Sequence, residues 1–107
     1  MATRKKTAPD AIRQMQAHAC EASSLLKAMG NEQRLLILCQ LVGREASVGE
    51  LLAGSELSQS ALSQHLSVLR EADMVQTRRE GQSIFYSIAD PDAACILGVL
   101  HDIYCKR

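Results

Sequence analysis

The chain has 107 residues, and its 12 basic and 12 acidic side chains balance to a formal charge of zero. Hydrophobic residues make up 47%, aromatics only 3%, and tryptophan is absent, so the core of one small domain must be built from aliphatic side chains, which favours helices. No apolar run approaches the roughly 18 residues of a membrane span, and the zero balance excludes a protein that holds nucleic acid by bulk charge alone.

Residues 1–9 read as a disordered basic tail carrying Arg4, Lys5 and Lys6 and ending at Pro9. With no apolar segment after the basic start it is not a signal peptide, and the expected location is the cytoplasm. The folded domain is expected over 10–107. Asp10 is placed to cap a helix that runs to Met29, with Met15, Ala19, Ala22, Leu26 and Met29 as its apolar stripe. Gly30 breaks it. Asn31 caps a second helix whose apolar side is Leu35, Leu38, Cys39 and Val42, and Gly43 ends it.

Ser47-Val-Gly-Glu50 has the form of a capping box and opens a short helix over 48–54. Ser55-Glu-Leu57 makes a turn, and Ser58 caps a helix to about Ala72. At about 100° per residue, Leu62, Leu66 and Leu69 form its buried stripe and Ser60, Ser63, Gln64 and Ser67 fall opposite. Two strands follow, Met74–Arg79 and Gln82–Ile88, joined at Glu80-Gly81. Asp90 and Pro91 then start a helix to about Tyr104 that carries Ile96, Leu97, Val99, Leu100, Ile103 and Tyr104. There are no internal repeats.

The predicted fold class is therefore mainly α with a small β-hairpin wing, a winged helix-turn-helix. A helix that offers uncharged polar side chains, beside an arginine-tipped hairpin, suits the major groove of double-stranded DNA. Across 57–83 the arginines Arg70, Arg78 and Arg79 are matched by Glu71, Asp73 and Glu80, so binding must rest on local placement and be strongly salt-sensitive. The first and last helices are more apolar than a monomer of this size covers easily, and pairing with a second copy about a two-fold axis, dimeric through those helices, resolves this. His65, at the shoulder of the leucine stripe, either touches a phosphate or completes the packing. His18 reads as solvated, His101 as structural, and Met15, Met29 and Met74 as core fillers. No catalytic constellation, phosphate loop or cofactor motif is present, so neither an enzyme nor a cofactor is expected.

The four cysteines, Cys20, Cys39, Cys95 and Cys105, are widely spaced and lack a C-x-x-C pair, so in a reducing compartment they are free thiols unless they have a redox task. Cys95 and Cys105 are ten residues apart, a rotation of about 280° around the last helix, and are not read as sharing a face; Cys20 and Cys95 read as structural or incidental.

Taken together, Leu26-Lys-Ala-Met-Gly-Asn-Glu-Gln-Arg-Leu-Leu-Ile-Leu38, Ser47-Val-Gly-Glu-Leu51, Leu57-Ser-Gln-Ser-Ala-Leu-Ser-Gln-His-Leu-Ser-Val-Leu-Arg70 and the wing ending Phe85-Tyr86 resemble the ArsR/SmtB family of winged-helix repressors over residues 15–105. The resemblance implies DNA contacts from Gln59, Ser60, Ser63 and Gln64, with wing support from Arg78, Arg79 and Gln82. Members that sense arsenic place a Cys-x-Cys pair in the third helix, and this stretch holds none. Members that bind zinc across the last helices use an Asp-x-His pair and a later His-x-x-Glu or His-x-x-His, and Asp90, Asp92, His101 and Asp102 lack that spacing. No metal is therefore expected.

Cys39 and Cys105 remain, and their placement is similar to the thiol-sensing branch of the family, where two such cysteines react with low-molecular-weight persulfides or oxidants. A coupling of about 3 kcal/mol would release an operator roughly 150-fold. The rival readings are a metal-responsive repressor using Cys39, Cys105 and a histidine in a non-standard site, and a winged-helix module that binds a protein partner.

Overall fold

The computed structural model describes the backbone of residues 2–105 and the side chains from Pro9 to Cys105. In chain order the elements are α1 (Ala2–Met29), α2 (Glu32–Gln40), β1 (Ala46–Ser47), α3 (Val48–Ala53), α4 (Gln59–Glu71), β2 (Val75–Glu80), β3 (Ser83–Ile88) and α5 (Pro91–Tyr104). This is a helix-turn-helix, α3 and α4, followed by a hairpin wing and flanked by long helices at both ends.

The local signals account for most boundaries. Asn31 accepts from the N–H groups of Gln33 and Arg34 at the start of α2. Ser47 and Glu50 form a reciprocal capping box at α3, at 2.8 and 3.1 Å. Ser58 caps α4, and Asp90 with Pro91 opens α5. α4 closes in a Schellman motif: Met74 N–H reaches the Leu69 carbonyl, Asp73 N–H reaches that of Arg70, and Asp73 takes the left-handed backbone at φ 58°. The Arg34 side chain donates to the carbonyls of Ala28 and Lys27 and so satisfies the C-terminal end of α1.

Three expectations change. α1 begins at Ala2 rather than at Asp10, which lies inside the helix, as does Pro9. Residues 2–8 contain no glycine, and one proline removes one backbone hydrogen bond without ending a helix whose other bonds hold. The Arg4, Lys5 and Lys6 side chains fall outside the described ones. The wing contains a third strand, in the order β1-β3-β2, with Ala46 opposite Tyr86 and Ser47 opposite Phe85. A two-residue strand is too short to leave a period in the sequence. The hairpin turn falls on Gly81, at φ +62°, and Gln82.

The core lies where α2, α4 and α5 meet the sheet. Ile37, Leu38, Leu41, Leu51, Leu62, Leu66, Leu69, Met74 and Leu97 are all buried. α1 adds only its last turns, through Leu25, Ala28 and Met29. The stripe expected on α1 is thus corrected: Met15 and Leu26 are each 57% exposed, and Met15 fills no core. On α2, the buried face is Ile37, Leu38 and Leu41, while Cys39 and Val42 turn outward. On α5, Val99, Ile103 and Tyr104 are exposed. An amphipathic period reports that a helix has an apolar face, not which chain covers it. Among the described residues no helix is long and apolar enough to cross a membrane.

Candidate functional site

On α4 the leucines point inward at 0–3% exposure, which fixes the rotation of the helix. Gln59, Ser60, Ser63, Gln64 and Ser67 are consequently all exposed along its outer side, and His65 is half-buried at the shoulder. The turn before α4 is held by the Ser55 hydroxyl, which donates to the Leu52 carbonyl and accepts from Leu57 N–H. Gly54 belongs to the same joint: a Cβ there would collide with the Gln40 side chain from α2. The outer face of α4 thus offers amide and hydroxyl groups, donors and acceptors suited to base edges, on a helix whose other side is clamped in the core.

The wing separates its two arginines. Side chains alternate along a strand, so Arg78 shares a face with its partner Phe85, and Arg79 shares the other face with Ile84. Arg78 is engaged on its own side. Its guanidinium donates to both carboxylate oxygens of Glu45, at 2.9 to 3.3 Å, lies 3.7 Å from Glu80, and stacks 4.9 Å from the Phe85 ring centre. Hydrogen bonding from Arg78 holds the Glu45 carboxyl below the usual carboxylate range, and Glu45 in turn raises the Arg78 guanidinium. Glu45 precedes β1, so this clasp ties the hairpin to the turn after α2. Arg79 and Gln82 are exposed at the wing tip. The Glu45–Arg78 pair is separated by 33 positions and has no local sequence signal.

All four cysteines are free thiols accessible to solvent. Two of them are brought together. Cys39 lines a groove of about 410 Å³ between α2 and α5, with Val42, Leu97, Gly98, His101 and Asp102. Cys105 caps α5, its N–H donating to the His101 carbonyl at 2.8 Å. His101 and Cys105, four apart, lie on one side of the helix. The Cys39 thiol remains reachable from solvent, yet the groove walls partly desolvate it and push it above its ordinary value, and the Cys105 thiol is near enough to add electrostatically to that rise. Cys39 is the one cysteine that lines this groove; Cys105 stands at the end of α5 beyond it, and Cys20 and Cys95 do not line it. His101, read as structural from the sequence, is an exposed groove residue. His18 is exposed and meets Glu21 at 3.1 Å. Among the described residues no group of three or more His, Cys, Asp or Glu side chains is placed to hold a metal ion.

A helix-turn-helix, a three-stranded wing and long terminal helices are joined here in one chain, and a model of the bacterial regulatory proteins of the arsR family matches residues 31–77. The transcriptional activator HlyU of Vibrio cholerae is 48% identical over 101 residues, covering 94% of either chain. This chain belongs to the arsR family. A structure of reduced HlyU from Vibrio cholerae superposes with a TM-score of 0.84 over 88% of this chain and 99% of that one, at 48% identity. The biofilm growth-associated repressor of Agrobacterium fabrum is 45% identical over 91 residues, 85% of this chain and 78% of that one. A homodimeric winged helix-turn-helix DNA-binding domain from Mycobacterium bovis superposes with a TM-score of 0.73 at 27% identity, over 82% of each chain. As an arsR-family member this protein is a transcriptional regulator with a winged helix-turn-helix fold.

Proposed function

We propose that the protein is a homodimeric repressor that binds double-stranded operator DNA and releases it when Cys39 and Cys105 are modified by low-molecular-weight persulfides or oxidants. The switch is supported by the place of Cys39 in the α2–α5 groove, with the Cys105 thiol at the end of α5 near enough to perturb it. A thiolate attacks the incoming sulfur, and the second thiol resolves the adduct. A bridge between α2 and the end of α5 changes the seating of α5 and hence the spacing of the two recognition helices in the dimer.

The dimer is supported by the exposed apolar side chains of both terminal helices, Ile12, Met15 and Leu26 on α1 and Val99, Ile103 and Tyr104 on α5, and by the homodimeric relative. DNA is read by Gln59, Ser60, Ser63 and Gln64, with His65 at the edge, and the wing contributes Arg79 and Gln82 to phosphates. Arg78 serves the same interface by fixing the wing through Glu45. Two relatives are named for opposite outcomes, an activator and a repressor, and repression follows where the occupied site blocks polymerase.

The test uses DNA selected by the reduced protein from random duplexes. Treatment with glutathione persulfide should weaken binding by the wild type about 100-fold, while Cys39→Ser and Cys105→Ser should keep their affinity. Peptide mapping should recover a Cys39–Cys105 crosslink. Equal affinity before and after complete modification would overturn the switch.

A further inference from the structure

Gly98 stands in the middle of α5, where glycine is the poorest helix former after proline. Nothing local demands it. Its backbone is not left-handed, and a Cβ built there would meet nothing within 4 Å. Gly54, by contrast, is pressed by Gln40, and Gly43 and Gly81 hold positive φ. The space left at Gly98 opens into the groove that contains Cys39. Gly98 also lies seven residues, about two turns, before Cys105 and on the same side of the helix, with His101 and Asp102 between them on the groove wall.

The groove is far larger than two sulfur atoms need. A peroxide requires about the 30 Å³ of one water molecule, whereas the groove encloses about 410 Å³, within the range of small-molecule pockets. Its flanks, Val42 and Leu97, are apolar, with His101 and Asp102 as the polar members.

We propose that Gly98 is a specificity-determining residue, whose missing side chain admits the organic part of a low-molecular-weight persulfide to Cys39. This rests on the thiol-switch reading above and names which class of reagent the groove is shaped for. In the step it serves, the Cys39 thiolate attacks the outer sulfur of R–S–SH. A Cys39 S–S bond forms, the S–S bond of the persulfide breaks, and R–S⁻ leaves, so that Cys39 carries the outer sulfur with its hydrogen as S–SH. The Cys105 thiolate then attacks the Cys39 sulfur and expels HS⁻. Two thiols are oxidised to one disulfide, and one persulfide is reduced to a thiol and hydrosulfide. The carrier R must sit beside α5 while its outer sulfur faces Cys39, and Gly98 leaves that position open.

The experiment compares wild type, Gly98→Ala and Gly98→Leu as full chains. Rates of modification at Cys39 are measured by quenching and peptide mapping, with hydrogen peroxide as the small reagent and glutathione persulfide as the large one. Gly98→Leu should slow the persulfide by about tenfold or more, the scale on which a methylene changes discrimination in a pocket, and leave the peroxide rate nearly unchanged. Gly98→Ala, the milder change, should show a smaller loss in the same ratio together with a higher melting temperature, so that the result does not depend on the leucine variant folding. Equal slowing of both reagents, or of neither, would overturn the proposal. So would a changed dimer mass for Gly98→Ala, since the glycine would then serve assembly. Failure of the switch itself looks different: wild-type Cys39 would be modified without loss of DNA affinity, and the ratio of rates would still decide the role of Gly98.

Discussion

The inner side of α4 and the space between α2 and α5 both hold leucine, yet one is closed and the other open. Leu62, Leu66 and Leu69 leave almost no surface to solvent, packed in one cluster with Leu51 from α3. Across α2 and α5, only Leu97 of the groove residues is buried, and Val42, Cys39 and Gly98 face the gap. A recognition helix must keep its side chains at fixed offsets from base edges, which requires a packed underside. A sensor must admit a reagent and then change shape, which requires a gap. The same small domain holds both environments, a packed underside and a gap, by placing its leucines beneath α4.

The largest expected effect lies on the closed side. Leu62→Ala should cost about 2–5 kcal/mol of unfolding free energy, the range for a buried leucine whose surroundings cannot collapse, measured by urea denaturation. Val42→Ala, at 55% exposure on the open side, should stay within about 0.5 kcal/mol. Equal losses at the two positions would erase the contrast.

The groove chemistry has the next largest effect. Burial first, and Cys105 second, hold Cys39 in its protonated form above the ordinary thiol range. Its reaction should accelerate about tenfold per pH unit from pH 7 to 8.5 without levelling, and slow correspondingly as pH falls. Cys105→Ser should move the midpoint of that profile downward, because the raising effect of the second thiol is gone. His101 and Asp102 line the same groove, and His101→Ala serves as the control that should leave the upper limb of the profile in place.

On the DNA-facing side, Gln64→Ala should weaken binding to selected DNA by about 1–3 kcal/mol if the amide reads a base, without affecting stability. Arg79→Ala should lower the slope of log affinity against log salt by about 1 per protomer. Glu45→Ala removes the acceptor for Arg78 and should weaken binding without lowering that slope, because no phosphate contact is lost. If Arg78→Ala and Arg79→Ala changed the slope equally, Arg78 would be a phosphate ligand and its clasp incidental. The smallest effect sharpens the end of α4. Asp73→Gly, at φ 58°, should stabilise by about 0.5 kcal/mol as the left-handed strain is removed, visible as a modest rise in melting temperature.

The helices from α2 onward, their caps and the hairpin of the wing were legible because each is written in neighbours. Asn31, Ser47 with Glu50, Ser58 and Asp90 with Pro91 place boundaries within a turn, and Leu62, Leu66 and Leu69 orient α4 by spacing alone. Cys39 and Cys105 stood out as candidates through resemblance to a family. The clasp of Glu45 on Arg78 was invisible because it joins residues 33 apart, and β1 because two residues carry no period. The stripe of α1 was legible as apolar and as more than a monomer covers, while Met15, read as a core filler, is exposed.

By itself the sequence determined the order of the five helices and the hairpin, the buried face of α4 and the polar residues opposite it, since these follow from periodicities of a few residues and from capping chemistry. Only the tertiary structure decided that Cys39 stands in a groove against α5 with Cys105 near enough to act on it, that Gly98 leaves that groove open, and that Arg78 is engaged while Arg79 is exposed. Those are relations between segments distant along the chain, fixed by how helices and strands cross, and no local pattern of residues encodes a crossing.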